Sequence, residues 1–218
     1  MAIYLKKFET EAQYTAAESG LILPNVSLIT ENDRVAYKPI APAPIIDGHE
    51  YVDLGLPSGT LWATMNVGAN SVTDYGNYYQ YGKGSAQYAA TSGDSNYEGE
   101  ENPLAASADT AAQVWGGQWH MPTKTQFEEL TANTTYQWTT IDGINGSKFT
   151  AQNGNYVFFP AAGVWQDGSQ YRVGSYGDYC SSTPKSFLTF YALESYNGVR
   201  YVYAYSRICA FPVRPVVG

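Results

Sequence analysis

Apolar and polar positions alternate over short stretches of this chain, and the alternation predicts strands along most of its length. Val26 to Thr30 and Arg34 to Lys38 form the first pair, joined by the turn-forming Glu31-Asn32-Asp33. His49–Leu54 and Thr60–Asn66 follow, with Gly55 to Gly59 as the turn between them. Further runs lie at Tyr136–Thr140, Lys148–Gln152, Tyr156–Ala161, Asp178–Ser182, Phe187–Leu193, Val199–Ser206 and Phe211–Val216. Asn145-Gly146 and Asn197-Gly198 are expected as hairpin turns.

Helical spacing is confined to short segments. Thr10 can cap a helix through Ser19, with Ala12, Ala16 and Ala17 inside it and Gly20 as its stop. Ala108–Trp115 and Thr123–Ala132 are helical, the second opened by a Thr123 to Gln126 capping-box pattern behind Pro122 and turning Phe127 and Leu130 to the core. Residues 82–107 have no clear period and read as a long surface excursion. Pro39 to Pro44 reads as an extended linker, so a boundary is expected near residue 45. No repeat of solenoid or propeller length is present.

Composition sharpens this picture. With 218 residues the chain can hold one substantial domain and a small appendage. Its 21 glycines, 20 tyrosines and only 15% charged residues suit many strands and tight turns better than a helical bundle. The net charge of −8, with scattered Lys and Arg, argues against a nucleic-acid partner. No run is long enough to span a membrane, and no signal peptide is expected, since Met1 to Thr10 is not followed by an apolar segment. Cys180 and Cys209 lack zinc or redox spacing; they are either two unpaired residues on neighbouring strands, the favoured reading, or one disulfide.

Several blocks in order resemble the Fibrobacter succinogenes major paralogous domain, a family of gut Bacteroidetes and their phages. They are His49 to Gly68, Trp119 to Leu130, Phe159-Pro160-Ala161-Ala162-Gly163, Cys180-Ser181-Ser182-Thr183 and Phe211 to Val216, covering about residues 48–218. The resemblance implies an α+β, C-type-lectin-like fold of the formylglycine-generating-enzyme subclass, β-rich with two short helices, over residues 45–218. Residues 1–44 fall outside it and look like a small helix-hairpin segment for attachment to a phage particle or for homo-oligomer assembly. Cys180 stands where the family often has an aromatic residue, and Met65 where it often has Cys.

The resemblance also implies a function. The subclass includes variable proteins of diversity-generating retroelements, whose C-terminal block is rewritten at chosen codons to change the ligand bound. Phe187, Thr189, Tyr191, Tyr201, Tyr203, Tyr205, Ser206, Ile208 and Cys209 occupy the matching block, and each can arise by adenine-directed mutation of an asparagine codon. The expected activity is receptor binding at a virion or extracellular surface, toward a protein or glycan on a target cell, without enzyme activity, cofactor or membrane insertion. The alternative is a structural virion or cell-surface protein whose aromatic face makes subunit contacts.

The residues themselves add to this. Tyr201, Tyr203 and Tyr205 share one face of a strand and Val202 and Ala204 the other, and small apolar partners suit an interior, so the tyrosines are expected outward. Tyr75, Tyr78, Tyr79 and Tyr81 are read as core and loop packing beside glycines. No lectin calcium motif is present; Asp94, Glu98, Glu100 and Glu101 read as a solvated acidic loop ahead of a calcium site. His49 and His120 have no catalytic partner at a motif spacing, and His120 reads as a packed or capping residue. An oxidase using Cys180 and Cys209 would need an accessible thiolate and is the weakest rival.

Overall fold

The computed structural model describes residues 43–86 and 101–218, together with the backbone of 26–31 and 34–39. The expected helix at Thr10–Ser19, the middle of the linker, and most of the 82–107 excursion, including Asp94, Glu98 and Glu100, lie outside the described residues. The chain divides into two compact units, 1–43 and 44–218. In the first, β1 (Val26–Glu31) and β2 (Arg34–Pro39) form an antiparallel hairpin closing at Glu31 and Arg34.

The second unit is β-rich, with two helices among its described residues. It opens with β3 (Ile45–Ile46), β4 (His49–Asp53) and β5 (Leu61–Ala63), and its last strand, β16 (Val216–Val217), returns to pair with β5. The start and end of the unit are therefore one sheet. Between them lie β6 (Tyr79–Gln80), α1 (Thr110–Val114), α2 (Lys124–Asn133) and the meander β7 (Thr135–Ile141), β8 (Ile144–Thr150), β9 (Tyr156–Pro160). The hairpin β10 (Val164–Gln166) and β11 (Ser169–Tyr171) joins β15 (Ala210–Phe211) and β6 in a second four-stranded sheet. The remaining sheet is β12 (Gly177–Ser186), β13 (Thr189–Tyr196) and β14 (Val199–Ser206), with β14 at its edge.

Local chemistry accounts for the junctions. Thr123 caps α2 in the capping box its sequence encodes: its hydroxyl accepts from the Gln126 amide at 3.2 Å, and its own N–H donates to Gln126 Oε1 at 2.9 Å. Phe127 and Leu130 are buried, as expected, and Phe127 packs 5.6 Å from Trp62. Asp47-Gly48, Asp142-Gly143 and Asp167-Gly168 each hold positive φ at both residues, the backbone that a two-residue hairpin loop requires.

Three expectations need correction. The turn expected at Asn145-Gly146 lies at Asp142-Gly143 instead; Gly146 sits within β8 opposite Thr139 and Pro160, where any side chain would strike the Phe158 ring. Both dipeptides carry the same turn chemistry, and the register is set by Ile141 meeting Ile144. Phe211–Val216 is not one strand but β15 and β16, because Pro212 and Pro215 remove backbone donors between them. Arg214 uses that break to turn inward, fully buried, donating to Asn66 Oδ1 at 2.8 Å and to the carbonyls of Ala63 at 3.1 Å and Phe158 at 2.9 Å. Lastly, Phe187 precedes β13 and stands with Leu188 in the turn after β12.

Candidate functional site: the tyrosine edge of the β12–β13–β14 sheet

The two faces of this sheet have different surroundings. Cross-strand partners share a face, so the pairs Phe190 with Tyr205, Ala192 with Tyr203 and Glu194 with Tyr201 all lie on one side. Phe190, Ala192 and Cys180 on that side are buried in a cluster with Tyr81, Phe211 and Val213. On the other side Tyr179, Leu193 and Val202 pack with Phe127 and Leu130 of α2. β14 is thus anchored through Val202, as its alternation predicts.

The tyrosine stripe is graded. Tyr205 is half-buried against Phe211, ring centroids 5.0 Å apart, whereas Tyr201 is 39% and Tyr203 58% exposed. Exposure therefore peaks at the middle ring of a strand that lies at the edge of its sheet. Tyr203 meets both neighbours edge-on, at 6.0 Å and 6.2 Å between centroids.

Beneath the stripe lies a polar network. Glu194 Oε1 accepts from the Tyr201 hydroxyl at 2.5 Å, and Oε2 accepts from the Tyr205 hydroxyl at 2.6 Å and from Arg172 Nη1 at 2.7 Å. Arg172 Nη1 also donates to the Tyr205 oxygen at 2.7 Å. Burial alone would push the Glu194 carboxyl up, but the hydrogen bonds from Tyr201, Tyr205 and Arg172 outweigh it and hold it below the usual range. The Tyr201 phenol is raised chiefly by its bond to Glu194, and the Tyr205 phenol chiefly by burial and the nearby carboxylates.

Asp178 pairs with Glu194 across β12 and β13 and is fully buried. Neither of its oxygens accepts a hydrogen bond, and Arg172 Nη1 lies 3.9 Å away. Burial and the neighbouring Glu194 charge push its carboxyl up to about 7.

The candidate residues therefore do not form one surface. Tyr201, Tyr203 and Tyr205 share a face; Thr189, Tyr191 and Ser206 lie on the opposite one, where the Lys124 ammonium stands 5.2 Å from the Tyr191 ring. Phe187, 50% exposed, stands in the β12–β13 turn beside Leu188, which is 68% exposed. Ile208 is half-buried against the first core cluster, and Cys209 is buried within it, which removes that side chain from the surface. Sequence reasoning missed Arg172, Asp178, Glu194 and Leu188. The signal for Glu194 was present: a single carboxylate directly after the apolar run Phe190–Leu193, in register with a tyrosine-rich strand.

The other candidates are structural in their surroundings. Tyr78, Tyr79 and Tyr81 are buried, Tyr81 stacking on Phe190 at 4.8 Å. His120 bonds the Met121 and Gly218 carbonyls and bridges to Val216, while His49 stacks on Trp115 at 3.6 Å. Cys180 and Cys209 are both free and buried; burial pushes the Cys180 thiol well up and that of Cys209 to about 11, so neither is an accessible thiolate. Among the described residues no group of three or more His, Cys, Asp or Glu could hold a metal, and no helix is long and apolar enough to cross a membrane. No family model, curated protein or solved structure matches the chain.

Proposed function

We propose that residues 44–218 are a C-type-lectin-like recognition module that binds a protein or glycan on a target cell through the tyrosine edge of the β12–β13–β14 sheet. The observation that carries this reading is Tyr203. It is a large, mostly exposed ring in the middle of an edge strand, its hydroxyl without a hydrogen-bond partner among the described residues, between two tyrosines whose hydroxyls are tied down. Tyrosine supplies broad contact area at low entropic cost, and apolar Phe187 and Leu188 extend the presented surface at the adjoining turn. The lectin-like assignment is supported by contacts among the blocks that carry the family resemblance: Trp62 packs on Phe127 and Phe159, and Val216 pairs with Trp62.

In this reading the module is a retroelement-diversified variable protein of a phage or bacterium, and residues 1–43 attach it to a particle or assemble copies of it. Copies on one particle would raise weak single-site binding by multivalency. A glycan array and a panel of intact bacterial cells, each probed with the full chain and with Tyr203→Ala, test the recognition face. Loss of at least about tenfold in affinity is expected for a central aromatic contact. Unchanged binding, with a shift in oligomeric state, assigns the face to subunit contacts instead. Diversification is tested at the encoding locus, where a reverse transcriptase and an imperfect repeat of the codons for residues 176–215 are expected.

A further inference from the structure

We infer that Arg172 and Glu194 are positioning residues of the recognition face, fixing Tyr201 and Tyr205 in one orientation and, through them, Tyr203. The inference rests on the recognition reading above and adds the device that shapes the site.

Glu194 is the hub. Both of its oxygens are used, one by the Tyr201 hydroxyl and the other by Tyr205 and Arg172, so the two rings whose centroids lie 6.0 Å and 6.2 Å from that of Tyr203 are tethered at their far ends. A tyrosine held at its backbone and at its hydroxyl is fixed about its first side-chain torsion and in the line of its ring axis, and edge-on packing against neighbouring rings limits rotation about that axis. Tyr203, edge-on to both, is confined between two fixed walls although it makes no such bond itself.

Arg172 is delivered to this hub by an unusual backbone. It holds a φ of +65°, a left-handed conformation rare outside glycine, directly after β11. Its carbonyl accepts from the amides of Ser175 at 3.0 Å and Tyr176 at 2.9 Å, and its guanidinium lies 4.1 Å over the Tyr176 ring. Gly163 lets the 171–173 backbone approach closely, where any side chain would collide with it. A strained residue held from several sides and aimed at the face is an expected mark of a functional constraint. A tethered face gives up less freedom on binding than a mobile one, which raises affinity without a new contact.

The test combines ring spectroscopy with binding in the full chain. Tyrosine labelled with carbon-13 at Cζ reports each ring by nuclear magnetic resonance. In Glu194→Gln, and separately in Arg172→Met, the signals of Tyr201, Tyr203 and Tyr205 are expected to shift or broaden while that of Tyr179, on the other face, stays put. Glycan-array affinity is expected to fall about five- to tenfold in Glu194→Gln, the scale of immobilising one or two side chains, and further in Tyr203→Ala. Tyr201 and Tyr203 signals identical to wild type in both variants overturn the positioning role. So does loss of binding in Tyr203→Ala without loss in Glu194→Gln. Unchanged binding in Tyr203→Ala removes the recognition reading itself, whatever the ring signals do, so the two failures are distinct.

Discussion

Asp178 is a carboxyl without a hydrogen-bond donor, facing a second carboxylate and sharing one arginine with it. Its folded pKa, about 7, lies above the unfolded value of roughly 3.9, so the folded protein holds a proton that the unfolded chain releases. The resulting stability is complete below the unfolded value and is lost as pH rises through about 7. Glu194, held below its usual range, has the opposite slope and loses its contribution as pH falls toward acid. Urea unfolding between pH 5 and pH 8 should therefore show wild-type stability declining with pH, by about 1 kcal/mol or more, and Asp178→Asn should flatten the decline. An unaltered slope in that variant would assign the titration elsewhere. None of this was readable from residue spacing: Arg172, Asp178 and Glu194 meet because a hairpin and two strands bring them together, and only Glu194 left a trace in the local pattern.

At the scale of elements, legibility followed locality. The capping box of α2 was readable because Thr123 and Gln126 are three residues apart and their bonds need nothing else from the fold. Removing it with Thr123→Ala should lower stability by about 1 kcal/mol, measured by urea unfolding. The bounds of β14 were readable too, since an eight-residue alternation ends at a turn on one side and leaves the sheet on the other. The turn at Asp142-Gly143 was misplaced because a competing Asn145-Gly146 lies three residues on and only the partner strand decides between them. Strands β6, β10 and β11 escaped notice because two or three residues carry no period. The faces of β13 were a subtler loss: Thr189, Tyr191 and Ser206 belong to the candidate block in sequence, yet pairing sends them to the side opposite Tyr203.

For the molecule as a whole, Arg214 is the tie that sequence patterning did not reveal. It reaches from the break between β15 and β16 to Asn66, Ala63 and Phe158, joining the end of the unit to its opening hairpin and to β9. Burial lowers its pKa only to about 10, so the charge persists at neutral pH. Arg214→Met strands two carbonyls and an amide oxygen in the interior and should cost about 2–4 kcal/mol in urea unfolding. The division at residues 43 and 44 carries its own expectation. Residues 44–218 expressed alone should melt within about 3 °C of the full chain, a shift worth about 1 kcal/mol at this size, while losing any assembly that the first unit provides.

The alternation along β14 also has a meaning for inheritance. Positions 201 and 203 present side chains outward, and position 202 between them is committed to the core beside α2. Written in nucleotides, tolerance and intolerance then trade places between the neighbouring codons for 202 and 203. A gene library randomised at the codon for 203 should return nearly as many soluble clones as the parent. One randomised at the codon for 202 should return few, because each clone there gambles the scaffold against the diversity it was meant to carry.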